Sequence, residues 1–175
     1  MRYFVILFFI ALTPYANAKG PTEVLENAYS KAQEQKSAYP VYEIMNATEV
    51  FNRNPEMAKQ MVFANTAEEY KTNMIAMLFP DPKTKHIRDE IDAKMAKANP
   101  GMNIPPEMLK NMRKQMFERQ KIEMEKHLFN VEFKFGKAKI TGDKALVPVT
   151  TIKNGSSKTS EIKMIKIDNK WYKSL

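Results

Sequence analysis

The stretch that most constrains this chain is its C-terminal quarter, Asn130 to Leu175. Val131, Phe133 and Phe135 alternate with Glu132 and Lys134, a period of two that sends apolar and polar side chains to opposite faces of a strand. Further runs, Ala145 to Ile152 and Thr159 to Ile167, are set off by Thr141-Gly142-Asp143-Lys144, Asn154-Gly155 and Asp168-Asn169, and Trp171-Tyr172 closes the pattern. Asn-Gly supplies the positive φ angles of a tight hairpin, so the stretch predicts an antiparallel meander. Such a sheet must bury one face, and the preceding residues have to cover it. Pro148 lies mid-run in Leu146-Val147-Pro148-Val149. A proline has no N–H for a ladder, so a bulge is expected at Pro148, with one ladder hydrogen bond lost.

The covering elements read as helices. Val24, Leu25, Ala28, Tyr29 and Ala32 recur at helical spacing over Thr22 to Ser37, with Glu23 and Glu26 early and Lys31 and Lys36 late, as the helix dipole favours. Tyr39-Pro40 is expected to break this helix, and Val41, Tyr42, Ile44 and Met45 form the apolar side of a short second one. Asn54-Pro55-Glu56 reads as a cap followed by proline at the first helical position, with Met57, Met61 and Val62 as the apolar face and an end near Asn65. Thr66 to Glu69 has capping-box spacing, and Tyr70, Met74, Met77 and Leu78 carry that helix to Phe79, where Pro80-Asp81-Pro82 stops it.

Two helices then precede the sheet. Lys83 to Ala98 has only the thin apolar line Ile87, Ile91 and Met95, which predicts a surface position. After Asn99-Pro100-Gly101, the longest helix runs from Pro106 to Phe129, with Met108, Leu109, Met112, Met116, Ile122, Met124 and Leu128 as its apolar line and Phe117 beside it. Residues 83–129 thus read as a long helical hairpin inserted before the sheet of residues 130–175.

The first residues have the three parts of a secretory signal peptide: Arg2, the apolar run Tyr3 to Leu12, and the small-residue site Ala16-Asn17-Ala18. The run is far short of the roughly 20 residues a membrane-spanning helix needs. No second apolar stretch of that length follows, so no transmembrane segment is expected after cleavage. The expectation is cleavage after Ala18, leaving a single α+β domain over 19–175 that is soluble and periplasmic or secreted. The chain has no cysteine, so its stability cannot come from disulfides.

The formal net charge is +8 and is concentrated on the sheet: residues 130–175 carry 10 Lys against 4 acids, while residues 19–129 are nearly balanced. All the cations of the sheet are lysines, which argues against base or phosphate readout by the arginine fork and against a nucleic-acid partner. A lysine-rich face also discourages edge-to-edge pairing, and it suits an anionic partner.

Candidate chemistry is sparse. Cysteine nucleophiles are absent, there is no Gly-x-Ser-x-Gly elbow, and His86 and His127 have no zinc-ligand spacing. Of the strand-region carboxylates Asp143 and Asp168 belong to turns, and alternation turns Glu132 away from Val131, Phe133 and Phe135. Methionine is abundant, at 13 residues, and Met57 and Met61, Met74 and Met77, and Met108, Met112 and Met116 each share a helix face. Thioethers suit Cu(I), but methionine also fills irregular cores and lines adaptable grooves. No cofactor is called for.

The order of elements and the residues Gly142-Asp143-Lys144-Ala145, Val147 to Thr151, Ile162 to Ile167 and Asp168-Asn169-Lys170-Trp171-Tyr172 resemble the nuclear transport factor 2-like, or cystatin-like, superfamily. The similarity is to its exported members of unassigned activity. It implies a curved sheet wrapped by helices around a conical pocket, a fold that hosts isomerases, dehydratases, lipid carriers and non-catalytic binding domains, so fold alone does not choose among them. The inserted hairpin departs from that pattern.

The expectation is an α+β fold with N-terminal helices packed on a C-terminal curved antiparallel meander. Its function is expected to be an exported binding or protein-interaction module, with Met112, Met116, Phe133, Val147 and Trp171 lining a pocket for an apolar or anionic amphiphilic ligand, or receiving a protein partner. A small cofactor-free enzyme of the same superfamily, or a Met-rich Cu(I) binder, is the alternative.

Overall fold

The computed structural model describes residues 19–79, 82–98 and 105–174. The signal peptide expected over 1–18, the Pro80-Asp81 stop and the Asn99-Pro100-Gly101 loop lie outside the described residues. The fold is α+β, with, among the described residues, seven α-helices followed by a curled antiparallel sheet in the form of a half-barrel. The helices are α1 (Pro21–Gln35), α2 (Tyr39–Glu43), α3 (Ala47–Arg53), α4 (Pro55–Val62), α5 (Ala67–Leu78), α6 (Lys85–Ala98) and α7 (Pro106–Met124). A π-turn, Glu125–Phe129, leads into strands β1 (Glu132–Phe135), β2 (Lys139–Thr141), β3 (Lys144–Lys153), β4 (Ser156–Ile167) and β5 (Lys170–Lys173).

Local chemistry sets the helix ends. Asn54 Oδ1 accepts from the Met57 N–H at 3.0 Å with Pro55 at the first position, as its sequence predicts. Thr66 Oγ1 accepts from the Glu69 N–H at 3.2 Å, while the Glu69 carboxylate reaches one residue further back than a standard capping box, to the Asn65 N–H at 2.7 Å. α1 ends before Tyr39-Pro40: Lys36 takes a left-handed φ of 48°, and the Ser37 N–H returns to the Ala32 carbonyl at 3.0 Å. Pro40 instead sits in the first turn of α2, where its missing N–H costs nothing. α3, capped by Asn46, turns Ala47, Val50 and Phe51 toward the body, with Val50 and Phe51 against the core of α4 and α5, and had no counterpart among the expected helices.

In the sheet, β3 is central: it pairs with β4 along its whole length, with β1 over its second half and with β2 over its first. The Asn154-Gly155 and Asp168-Asn169 turns have positive φ at both residues, as tight hairpins require. The bulge expected at Pro148 is not there. β3 and β4 stay in unbroken register through Pro148↔Glu161, and the irregularity lies across from Pro148, between β1 and β2. Phe135 pairs with Val149 and Lys139 with Leu146, so Gly136, Lys137 and Ala138 oppose only Val147 and Pro148. The Pro148 carbonyl accepts from the Gly136 N–H at 2.7 Å, which puts the edge of Pro148 that lacks an N–H toward this break and not toward β4. The β4 ladder therefore loses nothing to the proline.

The inner face of the sheet is covered by α1. Leu25 and Val147 are completely buried, and together with Ala145, Val149, Met164 and Trp171 they form one core, with Tyr29 packed edge-on against Phe133 and Phe135. A second core, Ala58, Val62, Ala64 and Tyr70, ties α4 to α5. Burial pushes the Tyr70 phenol up from its ordinary value, and the neighbouring Tyr42 adds to the shift. α2 is tied to the edge of β5: Ile44 accepts from the Lys173 N–H at 2.7 Å, and Lys173 accepts from the Asn46 N–H at 2.9 Å.

Several methionines expected to face cores do not. Ala58 and Val62 point inward on α4 while Met57 and Met61 are exposed. On α7, Met108, Met112 and Met116 are exposed, and the partly buried line is Arg113, Phe117, Gln120 and Met124. The step from Met116 to Phe117 turns the docked face by roughly 100° relative to the methionine line. α6 docks more deeply than its thin line suggests, burying Ile91 and Arg88 against the α5 side. Arg113 of α7 pairs with Asp92 of α6. Leu25→Ala is expected to lower unfolding free energy by about 3 kcal/mol in urea titration, whereas Met112→Ala is expected to change it by less than about 0.5 kcal/mol.

Candidate functional site

The structure divides the expected pocket residues between two places. Phe133, Val147 and Trp171 lie in the core beneath α1, with Val147 fully buried and Trp171 8% exposed. Met112 and Met116 belong to neither core cluster and stand on the exposed side of α7. The five do not form one pocket, because α1 fills the inner face of the sheet and α7 presents a different side to the body. The methionines of α7, Met108, Met112 and Met116, are all exposed, spread over about 12 Å of helix.

A concave site does occur at the far side of α1. A groove of about 470 Å³ opens between the C-terminal ends of α1 and α5 and the second half of α7, a size in the range of small-molecule sites. Its walls include Tyr39, Phe79, Phe117, Phe129, Leu78 and Met124. Each element places its ring for a local reason. Tyr39 and Tyr42 of α2 pack edge-on against Phe79, with centroids 6.1 and 5.3 Å away. The π-turn, closed by the Asn130 N–H donating to the Glu125 carbonyl at 3.2 Å, inserts the extra residue that brings Phe129 back to the body. Gln33 of α1 fixes that turn by donating to the Leu128 and Val131 carbonyls at 2.9 and 2.5 Å.

The polar part of the lining is Gln35, Lys36, Ser37, Glu118, Gln120 and Lys121, and the Lys36 amine lies 5.5 Å from the centre of the Phe129 ring. Lys36 is also the left-handed cap of α1, a conformation that costs a non-glycine residue about 1 kcal/mol. The floor near Phe79 is held by Arg88, whose Nη1 donates to the Ala76 and Phe79 carbonyls at 3.1 Å each and to Thr84 Oγ1 at 2.8 Å. Arg88 thus satisfies carbonyls left open at the end of α5.

Among the described residues, groups suited to acid–base chemistry are not brought together. His86 and His127 are exposed, and His127 Nε2 lies 3.5 Å from the Glu123 carboxylate. Glu132 and Glu161 are exposed as well. Asp89, Glu90 and Glu123 are held below the usual carboxylate range, chiefly by hydrogen bonds from Lys85, Lys94 and Lys126 respectively. A general acid needs the opposite shift. Among the described residues no cluster of His, Asp and Glu has the form of a metal site, and no helix is long and apolar enough to cross a membrane.

No known family, curated protein or solved structure matches this chain. The groove therefore stands on its own geometry. Of its lining, Met124, Phe117 and Phe129 belong to helical runs legible in the sequence, but their convergence with Phe79 and Tyr39 depends on the π-turn and on the docking of α5, for which spacing gives no signal. Arg88→Leu is expected to destabilise the protein by about 2 kcal/mol in thermal or urea unfolding, since it leaves buried carbonyls unpaired. Amide exchange at Phe79, which the α5 end holds, should quicken in the same variant.

Proposed function

We propose that the protein is an exported, non-catalytic binding module whose ligand is an apolar or anionic amphiphilic molecule held in the groove between α1, α5 and α7. The observation that carries this reading is the convergence of Tyr39, Phe79, Phe117 and Phe129 on one open cavity with lysines at its rim. Aromatic walls supply apolar contact area, and a small number of polar groups orients the ligand. Lys36 and Lys121 outnumber Glu118 and leave the lining with a net positive charge, so an acidic head group would sit beside the lysines while the apolar body lies against the rings. The expected secretory signal places this activity outside the cytoplasm, and the resemblance to exported cystatin-like domains is compatible with a role in binding. The exposed, lysine-paired carboxylates favour binding over the enzyme alternative.

The test is a titration with anilinonaphthalene sulfonate, an aromatic anion, followed by competition with a medium-chain alkyl carboxylate. Saturable binding of one probe per chain is expected, displaced by the carboxylate. Phe117→Ala should weaken it about tenfold, the loss of roughly 1.4 kcal/mol. Lys36→Gly should weaken binding of the anion without lowering the unfolding midpoint, because glycine adopts the left-handed conformation freely. Fluorescence that does not saturate, or that is the same in both variants, overturns the proposal.

A further inference from the structure

The other end of the sheet carries a cavity of different chemistry. It encloses about 620 Å³ and is lined by Lys139, Lys144, Lys163, Arg53, Glu49, Thr141, Ser174, Leu146 and Ile165 among others. The strand register explains the set. Lys139 pairs with Leu146 and Leu146 with Lys163, and the Ser174 N–H donates to the Lys163 carbonyl at 2.9 Å, so these side chains share a row on the outer face. In the next row Thr141 pairs with Lys144 and Lys144 with Ile165. Three lysines therefore surround Leu146, a leucine still 36% exposed.

The extra residue opposite Pro148 creates this arrangement. Glu132 and Lys134 face outward on β1, and in unbroken alternation the outward residues of β2 would be even-numbered, turning Lys139 inward and Ile140 out. The break reverses that phase and delivers Lys139 and Thr141 to the outer face.

The charges are unbalanced. Glu49, the acid of the cavity, is engaged by Arg53 Nη2 at 3.3 Å and by the Ser174 hydroxyl at 2.6 Å. Lys134, further along the same face, is paired with Glu132 at 3.3 Å, whereas Lys139, Lys144 and Lys163 have no acidic partner among the described residues. Like charges on neighbouring strands repel, and an anion seated among them removes that repulsion. Lysines act on such an anion as mobile point charges, and the Thr141 hydroxyl adds a hydrogen-bond donor, the Ser174 hydroxyl being committed to Glu49.

We propose that this cavity is an anion site for a phosphomonoester-type dianion, bound by Lys139, Lys144 and Lys163, with Leu146 and Ile165 receiving an apolar substituent. It is separate from the aromatic groove. Lys153, at the opposite end of β3 from Lys144, donates to the Lys126 carbonyl in the turn that ends at Phe129, so the two sites are about 30 Å apart along the strand.

The experiment is calorimetry and methyl-region NMR with three probes: inorganic phosphate, hexyl phosphate and hexanol. Hexyl phosphate is expected to bind one to one, to shift the Leu146 and Ile165 methyl signals, and to weaken steeply with added salt. Hexanol is expected not to bind. Hexyl phosphate at least tenfold tighter than inorganic phosphate identifies a lipid-like source of the anion, and equal affinities identify a free one; either result supports the anion site. Lys144→Gln with Lys163→Gln should cost at least tenfold for both phosphates while leaving the unfolding midpoint unchanged or slightly raised, and Lys163→Arg should retain binding. Phe117→Ala should leave phosphate affinity untouched, which separates this site from the groove. Absence of saturable binding by both phosphates, or binding that survives the double lysine substitution, overturns the proposal.

Discussion

Everything in this molecule depends on α1 lying across the inner face of the sheet. Leu25, Val147 and Met164 are almost wholly withdrawn from solvent, and Trp171, Val149, Phe133 and Tyr29 close around them. Burying side chains of this size contributes about 1.5–3 kcal/mol each, the dominant favourable term for a chain without disulfides. That packing fills the inner face of the sheet. The open concavities lie at the margins: an aromatic groove beyond the C-terminal end of α1 and a lysine-lined cavity on the outer face.

Both margins are shaped by small departures from regular structure. The π-turn after α7 carries Phe129 into the groove, and the extra residue opposite Pro148 reverses the facing of β2. Gly136 shows how tight the second of these is, since a Cβ there would come within 3.3 Å of the Pro148 ring. Pro148 thus fits a central strand because the edge on which it lacks an N–H faces the break between β1 and β2, where the ladder is already interrupted.

The sheet was legible from sequence because its period of two and its turn residues report directly on backbone geometry. Asn154-Gly155 and Asp168-Asn169 have the positive φ values their types favour. The caps at Asn54 and Thr66 were legible for the same local reason. What escaped was long-range. Helical spacing marks a line of methionines on α7 but cannot tell which side the body will meet, and tertiary packing chose Phe117 and Met124 over Met112 and Met116. Val147 and Trp171 were recognisable as inward-facing, yet sequence does not reveal whether an inward face encloses a ligand or a leucine from α1. Lys139, Lys144 and Lys163 were visible as charge, but their convergence depends on a register break that alternation alone does not announce.

Trp171 is the only tryptophan of the chain and sits in the packed interior, so it reports directly on whether that interior is filled. The decisive measurement is acrylamide quenching of its fluorescence, with and without a saturating alkyl carboxylate. A filled interior predicts blue-shifted emission, strong protection from quenching, and no change on addition of the carboxylate. Ready quenching in the free protein, or protection that appears only with ligand, would place the ligand inside the sheet and contradict this account.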